Sequence, residues 1–178
     1  LVIAGFLASR HFAARRELEA AQMFSAATGV EDCDLVVQKY PGSVAAGNAL
    51  LQKAELLWQQ GKKASSIAAL EEFLKKLPAH QLRSAAALAL GTKQAALGEK
   101  DAARATFESF LKDHPKSELA PAADIQLGDM LWQEGKAAEA KKHFDSLLQK
   151  YPGNMAMFNQ ALEERQQLMG SGLPQKEV

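Results

Sequence analysis

The chain has 178 residues, of which 47% are hydrophobic and 24% are charged, so it can form a folded unit and is too apolar for a disordered chain. Its 21 lysines and arginines balance 21 aspartates and glutamates, and no net field would attract nucleic acid or an acidic substrate. The single cysteine, Cys33, excludes an internal disulfide and offers no cluster of zinc ligands. We therefore expect no nucleic-acid partner.

The chain opens with an apolar segment, residues 1–8, which Gly5 alone interrupts. A bilayer crossing needs about 20 such residues, so these eight cannot span by themselves. Their uniform apolarity favours the end of a membrane anchor; alternatively, they begin the first helix of a soluble chain. A removed signal peptide fits less well, because no small-x-small cleavage site follows. Arg10, Arg15 and Arg16 come next, and such basic residues usually flag the cytoplasmic side of a membrane.

Residues 9–38 predict a degenerate capping unit. A long helix is expected from Ser9 to Thr28, with Gly29 ending it. Asp32 or Asp34 can then cap a short second helix by accepting hydrogen bonds from its first amides. An atypical unit is expected at the end of a repeat array, because it covers its neighbour on one side only.

From residue 39 to residue 150 the chain repeats with a constant period of 37 residues. The period appears in two sets of residues: Tyr40-Pro41, Leu77-Pro78, His114-Pro115 and Tyr151-Pro152, and the glycines Gly61, Gly98 and Gly135. Apolar residues recur at spacings of three and four within each unit, which indicates helices. The glycine lies where the first helix must end, and the proline closes the second. Each unit is therefore predicted to be a helix, a tight turn and a second helix.

The second and third units also share small and large residues at fixed spacings. The third carries Leu127-Gly128, Gly135, Ala140, Phe144 and Pro152, and the second carries Leu90-Gly91, Gly98, Ala103, Phe107 and Pro115. This pattern resembles the tetratricopeptide repeat, whose usual period is about 34 residues. In the first unit the match is weaker, because Ala54, Ser66 and Leu70 replace the glycine, the alanine and the phenylalanine.

The resemblance implies an all-α fold, a right-handed solenoid of helix pairs. The array would occupy residues 39–169, including a C-terminal capping helix from Asn154 to Met169, and residues 170–178 would form a flexible tail. The long period and the Tyr-Pro-Gly turn resemble the branch of the family found in bacterial envelope proteins. With its apolar start, the chain is similar to membrane-anchored periplasmic ancillary subunits of the Sec translocon and to the periplasmic coordinators of the Tol-Pal system. These similarities imply the inner membrane, with the array facing the periplasm.

No catalytic constellation is apparent in the sequence. The four histidines, His11, His80, His114 and His143, are scattered, and none has a metal-spaced partner on its helical face. The serines Ser65, Ser66 and Ser171 lack a nearby base. We therefore expect a protein that is not an enzyme and that has no cofactor.

Binding of proteins or peptides in the concave groove is the stronger expectation, and the resemblance assigns the first helix of each unit to that surface. The family's inward positions give nine candidate partner-binding residues: Asn48, Leu51, Glu55 and Trp58, then Leu88 and Thr92, then Ile125, Asp129 and Trp132. Tryptophan is enriched among residues that dominate binding energy. Whether Trp58 and Trp132 line a groove or pack in the core is left open by the sequence.

These positions also exclude one kind of ligand. Some repeats of the family grip a partner's terminal carboxylate with lysine and asparagine, but apolar and acidic or hydroxyl side chains replace them here. A groove of this kind would prefer apolar or basic segments. Two functions remain open: a membrane-tethered adaptor in protein export or envelope assembly, and a structural scaffold that binds copies of itself as a homo-oligomer.

Overall fold

The computed structural model of the chain describes residues 2–151 and residues 160, 163, 165, 167 and 170, and it gives only the backbone for 2–8 and 148. Between residues 2 and 151 it contains eight helices and no strand, which confirms the all-α repeat fold. Most of the predicted capping helix and tail lie outside the described residues. The helices are α1 (Val2–Ser25), α2 (Val30–Lys39), α3 (Val44–Gln59), α4 (Lys63–Lys76), α5 (Arg83–Ala96), α6 (Lys100–Asp113), α7 (Ala120–Gln133) and α8 (Ala137–Lys150).

The predicted helix–turn–helix units are present at the predicted step. The helices α4, α6 and α8 begin at positions 63, 100 and 137. The turns before them contain Gly61, Gly98 and Gly135, each with φ of 77°, a left-handed conformation that an L side chain rarely adopts. Each second helix ends two residues before a proline, because the proline ring disfavours helical backbone at the residue that precedes it.

The first helix begins and ends earlier than the sequence predicted. It includes the apolar residues 2–8 and ends at Ser25 rather than Thr28. The reason for the early end lies in the Asp32 carboxylate, which accepts hydrogen bonds from the amides of Thr28 (2.9 Å) and Gly29 (3.0 Å). These bonds lower the pKa of Asp32 and start α2. Among the described residues, no helix is long and apolar enough to cross a bilayer.

The chain divides into two compact units, each larger than one 37-residue repeat. The first unit comprises residues 1–86 and the second unit residues 87–178, with the boundary inside α5. In the first unit, α1 and α2 pack against α3 through a cluster of buried residues: Ala20, Cys33, Val36, Tyr40, Ala45 and Ala49. Burial, followed by the nearby charges of Asp32 and Asp34, raises the pKa of the Cys33 thiol. In the second unit, a core cluster contains Ala103, Phe107, Phe110, Ala120, Ala123, Leu127 and Met130.

The helix pairs of the second unit cross where glycine faces an aromatic ring. A Cβ atom on Gly128 would lie 2.2 Å from Cε1 of Phe144, and one on Gly91 would lie 2.5 Å from Cε1 of Phe107. Both rings are fully buried. A larger residue on the first helix would therefore collide with the ring that fills the space beyond the crossing.

The first helix pair solves the same packing problem with a different pair of sizes. Ala54 stands at the glycine position and Leu70 at the phenylalanine position, and both are buried. The Ser66 hydroxyl, in place of the usual alanine, donates a hydrogen bond of 2.5 Å to the Ala54 carbonyl oxygen. A smaller side chain on the second helix thus accompanies a larger one on the first.

Gly128→Ala is expected to lower the free energy of unfolding by about 1–3 kcal/mol, because the added methyl overpacks a buried crossing. Urea unfolding followed by circular dichroism measures the loss. The double variant Gly128→Ala/Phe144→Leu copies the sizes found at Ala54 and Leu70, and it should be more stable than Gly128→Ala alone. Additive losses from the two substitutions would contradict this account of the crossing.

Candidate partner-binding surface

In the first unit, four candidate residues lie along one face of α3, because their spacings of three and four match the helical repeat. Asn48, Leu51 and Trp58 are partly buried, and Glu55 is exposed. Gln59 donates a hydrogen bond of 3.1 Å to the Glu55 carboxylate one turn earlier. The face therefore combines apolar and acidic side chains.

Trp58 is in contact with a cation from its own chain. The ammonium of Lys63 lies 3.8 Å from the centroid of the indole ring, and it also donates a hydrogen bond of 3.0 Å to the Trp58 carbonyl oxygen. This distance is that of a cation–π contact. The contact fixes the ring at the end of α3 and shows that this aromatic face accepts a basic group.

Asn48 carries an unsatisfied polar atom. Its Oδ1 is buried and has no hydrogen-bond partner among the described residues, although the residue as a whole is only partly buried. Leaving a buried acceptor unpaired costs about 1–3 kcal/mol, so such atoms are uncommon in native proteins. The enclosed amide oxygen of Asn48 therefore lowers the stability of the folded chain.

The two candidates on α5 differ in exposure. Leu88 is partly buried and packs against the core cluster of the second unit, whereas Thr92 is exposed. The Thr92 hydroxyl donates a hydrogen bond of 2.9 Å to the Leu88 carbonyl oxygen, one helical turn earlier. This hydroxyl is thus directed along its own helix.

The three candidates on α7 are buried. Ile125 and Trp132 are 7% and 8% exposed and belong to a core cluster with Ala140, Phe144 and Leu147. Asp129 forms a bidentate ion pair with Arg165. The Nε atom of the arginine lies 2.7 Å from Oδ1 of the aspartate, and its Nη2 atom lies 2.6 Å from Oδ2. A partner would reach Asp129 only by replacing Arg165. The binding role of these three residues stays a prediction.

A polar cluster around the buried Asp124, which the sequence did not predict, joins α7 to the end of α8. The Asp124 side chain, 4% exposed, accepts hydrogen bonds from Lys150 Nζ (2.5 Å) and from the Tyr151 hydroxyl (2.6 Å). His143 Nε2 lies 2.9 Å from the Asp124 carbonyl oxygen. The sequence offered one signal: Asp124 is acidic, whereas the same position in the two preceding repeats holds Leu50 and Ala87.

The Asp124 cluster contains residue types that also occur in catalytic sites, namely aspartate, histidine, lysine and tyrosine. Its hydrogen bonds instead connect α7 to α8 and the residue after it. Burial of the phenol, followed by its hydrogen bond to Asp124, raises the pKa of Tyr151 above its usual value. The carboxylate is directed at residues of α8 and its end, and its side chain is almost fully enclosed. Within the described part of the chain, no group of three histidine, cysteine, aspartate or glutamate residues could hold a metal ion.

Tyr151→Phe is expected to lower the free energy of unfolding by about 1.5–3 kcal/mol at neutral pH, because Asp124 loses a hydrogen bond to its charged carboxylate. The tyrosine pKa is higher in the folded protein, so its stabilising effect is complete below the unfolded value of about 10 and declines as the pH rises above it. Urea unfolding at several alkaline pH values should show a steeper decline in the wild type. Parallel curves for the two proteins would contradict the assignment.

Trp132→Ala should cost about 3–5 kcal/mol of unfolding free energy, because it leaves a cavity in a core cluster. Trp58→Ala should cost less, because that ring is partly exposed. Urea unfolding of both variants provides the comparison, with Trp132→Phe as a control that keeps most of the volume. Equal small losses at the two positions would show that Trp132 does not pack as core.

Comparison with protein-family models matches the tetratricopeptide repeat over residues 51–99 and 88–155, which together span more than half of the chain. No curated protein shows significant similarity to the sequence. The matched region runs from the middle of α3 to the end of α8 and includes the glycine turns and the small-residue crossings. The chain therefore belongs to the tetratricopeptide repeat family, whose members generally mediate protein–protein interactions.

Proposed function

We propose that this protein is a non-enzymatic adaptor that binds other proteins on the inner faces of its first helices. In this proposal the apolar N-terminal segment tethers it to the inner membrane of a bacterium, and the array faces the periplasm, where it serves protein export or envelope assembly. Membership of the tetratricopeptide repeat family supports the binding function. The location rests on the apolar residues 2–8 at the start of α1 and on the resemblance to envelope repeats.

The observation that carries the binding proposal is the partial exposure of Leu51 and Trp58 on one face of α3, beside the exposed Glu55. A partner segment that covers these side chains removes apolar surface from water. Tryptophan is also enriched among the residues that dominate binding energy.

The contacts of the chain with its own cations indicate the chemistry of the partner. Lys63 lies over Trp58, and Arg165 pairs with Asp129 through two hydrogen bonds. In each contact a basic group of the chain lies against a candidate binding residue. On α3, the exposed Glu55 beside Leu51 and Trp58 favours a partner segment with apolar residues and a lysine or arginine.

Trp58→Ala is expected to weaken partner binding roughly 30-fold, because truncating a tryptophan that dominates an interface costs about 2 kcal/mol. A photo-crosslinking amino acid at Leu51, in bacterial envelope membranes, reports the partner by mass spectrometry. The matched control places the same crosslinker at Glu71, which is exposed on the second helix α4.

The adaptor proposal requires that the crosslinker at Leu51 capture a protein that the crosslinker at Glu71 does not, and that Trp58→Ala reduce this capture. Equal capture from both positions would contradict it. If the captured protein is a second copy of this chain, and light scattering shows an oligomer, the self-associating scaffold is the correct function. A cell-division or envelope-integrity partner of the Tol-Pal type would replace the export role and keep the binding surface.

A further inference from the structure

The middle of α1 is not covered by the rest of the first unit. Every residue from Ser9 to Glu19 is exposed, and Ala20 is the first buried side chain of the helix. Phe12 is 70% exposed and Leu18 is 60% exposed. Both side chains are therefore accessible to an apolar surface outside the first unit.

This part of α1 forms one wall of a cleft, and the end of α2 forms the other. The cleft has a volume of about 440 Å³ and is lined by Phe12, Arg15, Arg16, Glu19, Lys39 and Tyr40. It therefore combines two aromatic side chains with three cations. A ligand that carries both a negative charge and an apolar part fits this composition.

The charge balance in the cleft is positive. Arg15, Arg16 and Lys39 face one acidic lining residue, Glu19, which lies 4.0 Å from Arg15 as an exposed pair. The neighbouring acid Glu17 accepts a hydrogen bond of 3.2 Å from the Val44 amide at the start of α3. The acidic side chains thus offset only part of the basic charge.

The position of the cleft along α1 suits a membrane surface. Residues 2–8 belong to the same helix, and at a rise of about 1.5 Å per residue the stretch from Phe12 to Arg16 lies roughly 6–12 Å beyond Ala8. The head-group layer on each side of a bilayer is of similar thickness, roughly 5–8 Å. If residues 2–8 enter the hydrocarbon, the cleft reaches the lipid phosphates.

We propose that the cleft between α1 and the end of α2 binds the head groups of anionic phospholipids, with Phe12 in the interfacial layer. The arginines and Lys39 attract the phosphate, and the exposed Phe12 ring contacts the glycerol and upper acyl region. This inference rests on the membrane tether of the proposed function. A head-group site accounts for Arg15 and Arg16 whether they lie on the cytoplasmic or the periplasmic side of a membrane.

Co-sedimentation of the full chain with vesicles tests the proposal. One set of vesicles contains phosphatidylcholine alone, and in the other, part of it is replaced by phosphatidylglycerol. Since each basic residue near an anionic surface strengthens binding roughly fivefold, Arg15→Gln/Arg16→Gln should bind the anionic vesicles roughly 30-fold more weakly. High salt should weaken wild-type binding in the same direction.

The matched control is Lys141→Gln/Lys142→Gln on α8. It removes the same charge from two adjacent exposed residues, and Lys141 pairs with Asp145 one turn away, as Arg15 does with Glu19. This variant should keep the preference for anionic vesicles. Both variants alter exposed side chains, and unchanged circular-dichroism melts verify that they fold.

The outcomes separate the head-group site from the tether. Preference for anionic vesicles that only the arginine variant loses supports the cleft. Equal binding to both kinds of vesicle overturns the cleft and leaves the tether standing. Equal loss in both variants shows an effect of total charge and also overturns the cleft. If the chain binds neither kind of vesicle, the tether and the cleft fail together.

Discussion

The fold depends on how closely two helices of one pair can approach. In the second unit that approach is set by glycine against an aromatic ring, at Gly91 with Phe107 and at Gly128 with Phe144. The close contact brings the backbones together and allows the ring to fill the space beyond the crossing. Because the two residues lie on different helices, neither helix can bury its apolar side without the other. The constant step of the sequence repeat places the glycine and the ring at the same positions in each of these two helix pairs, and therefore repeats the whole pair.

The repeated step explains why much of the fold could be predicted from the sequence. Glycine, proline and the small-residue column locate turns and crossings, and each has a local physical cause. The start of α1 was harder to predict from the sequence, because residues 2–8 include no capping residue that would mark where the helix begins. Its end depended on Asp32, whose carboxylate holds two amides outside the helix.

The candidate surface was harder to predict, because equal positions in the repeat have different neighbours. Trp58 and Trp132 occupy one column, yet the first is partly exposed beside Lys63 and the second is packed with Phe144 and Leu147. A column assigns the direction of a side chain and leaves out what covers it. The pairing of Asp129 with Arg165 and the Asp124 cluster likewise depend on contacts over 26 or more residues of sequence, which a 37-residue comparison of columns does not reveal.

The position of Cys33 has a practical consequence. The thiol is fully enclosed between α1, α2 and α3, and its raised pKa keeps it in the unreactive protonated form. A maleimide or disulfide reagent can therefore modify it only after these helices separate. Since the chain has one cysteine, the labelling rate in water reports the separation of these three helices, and the second unit contributes no thiol.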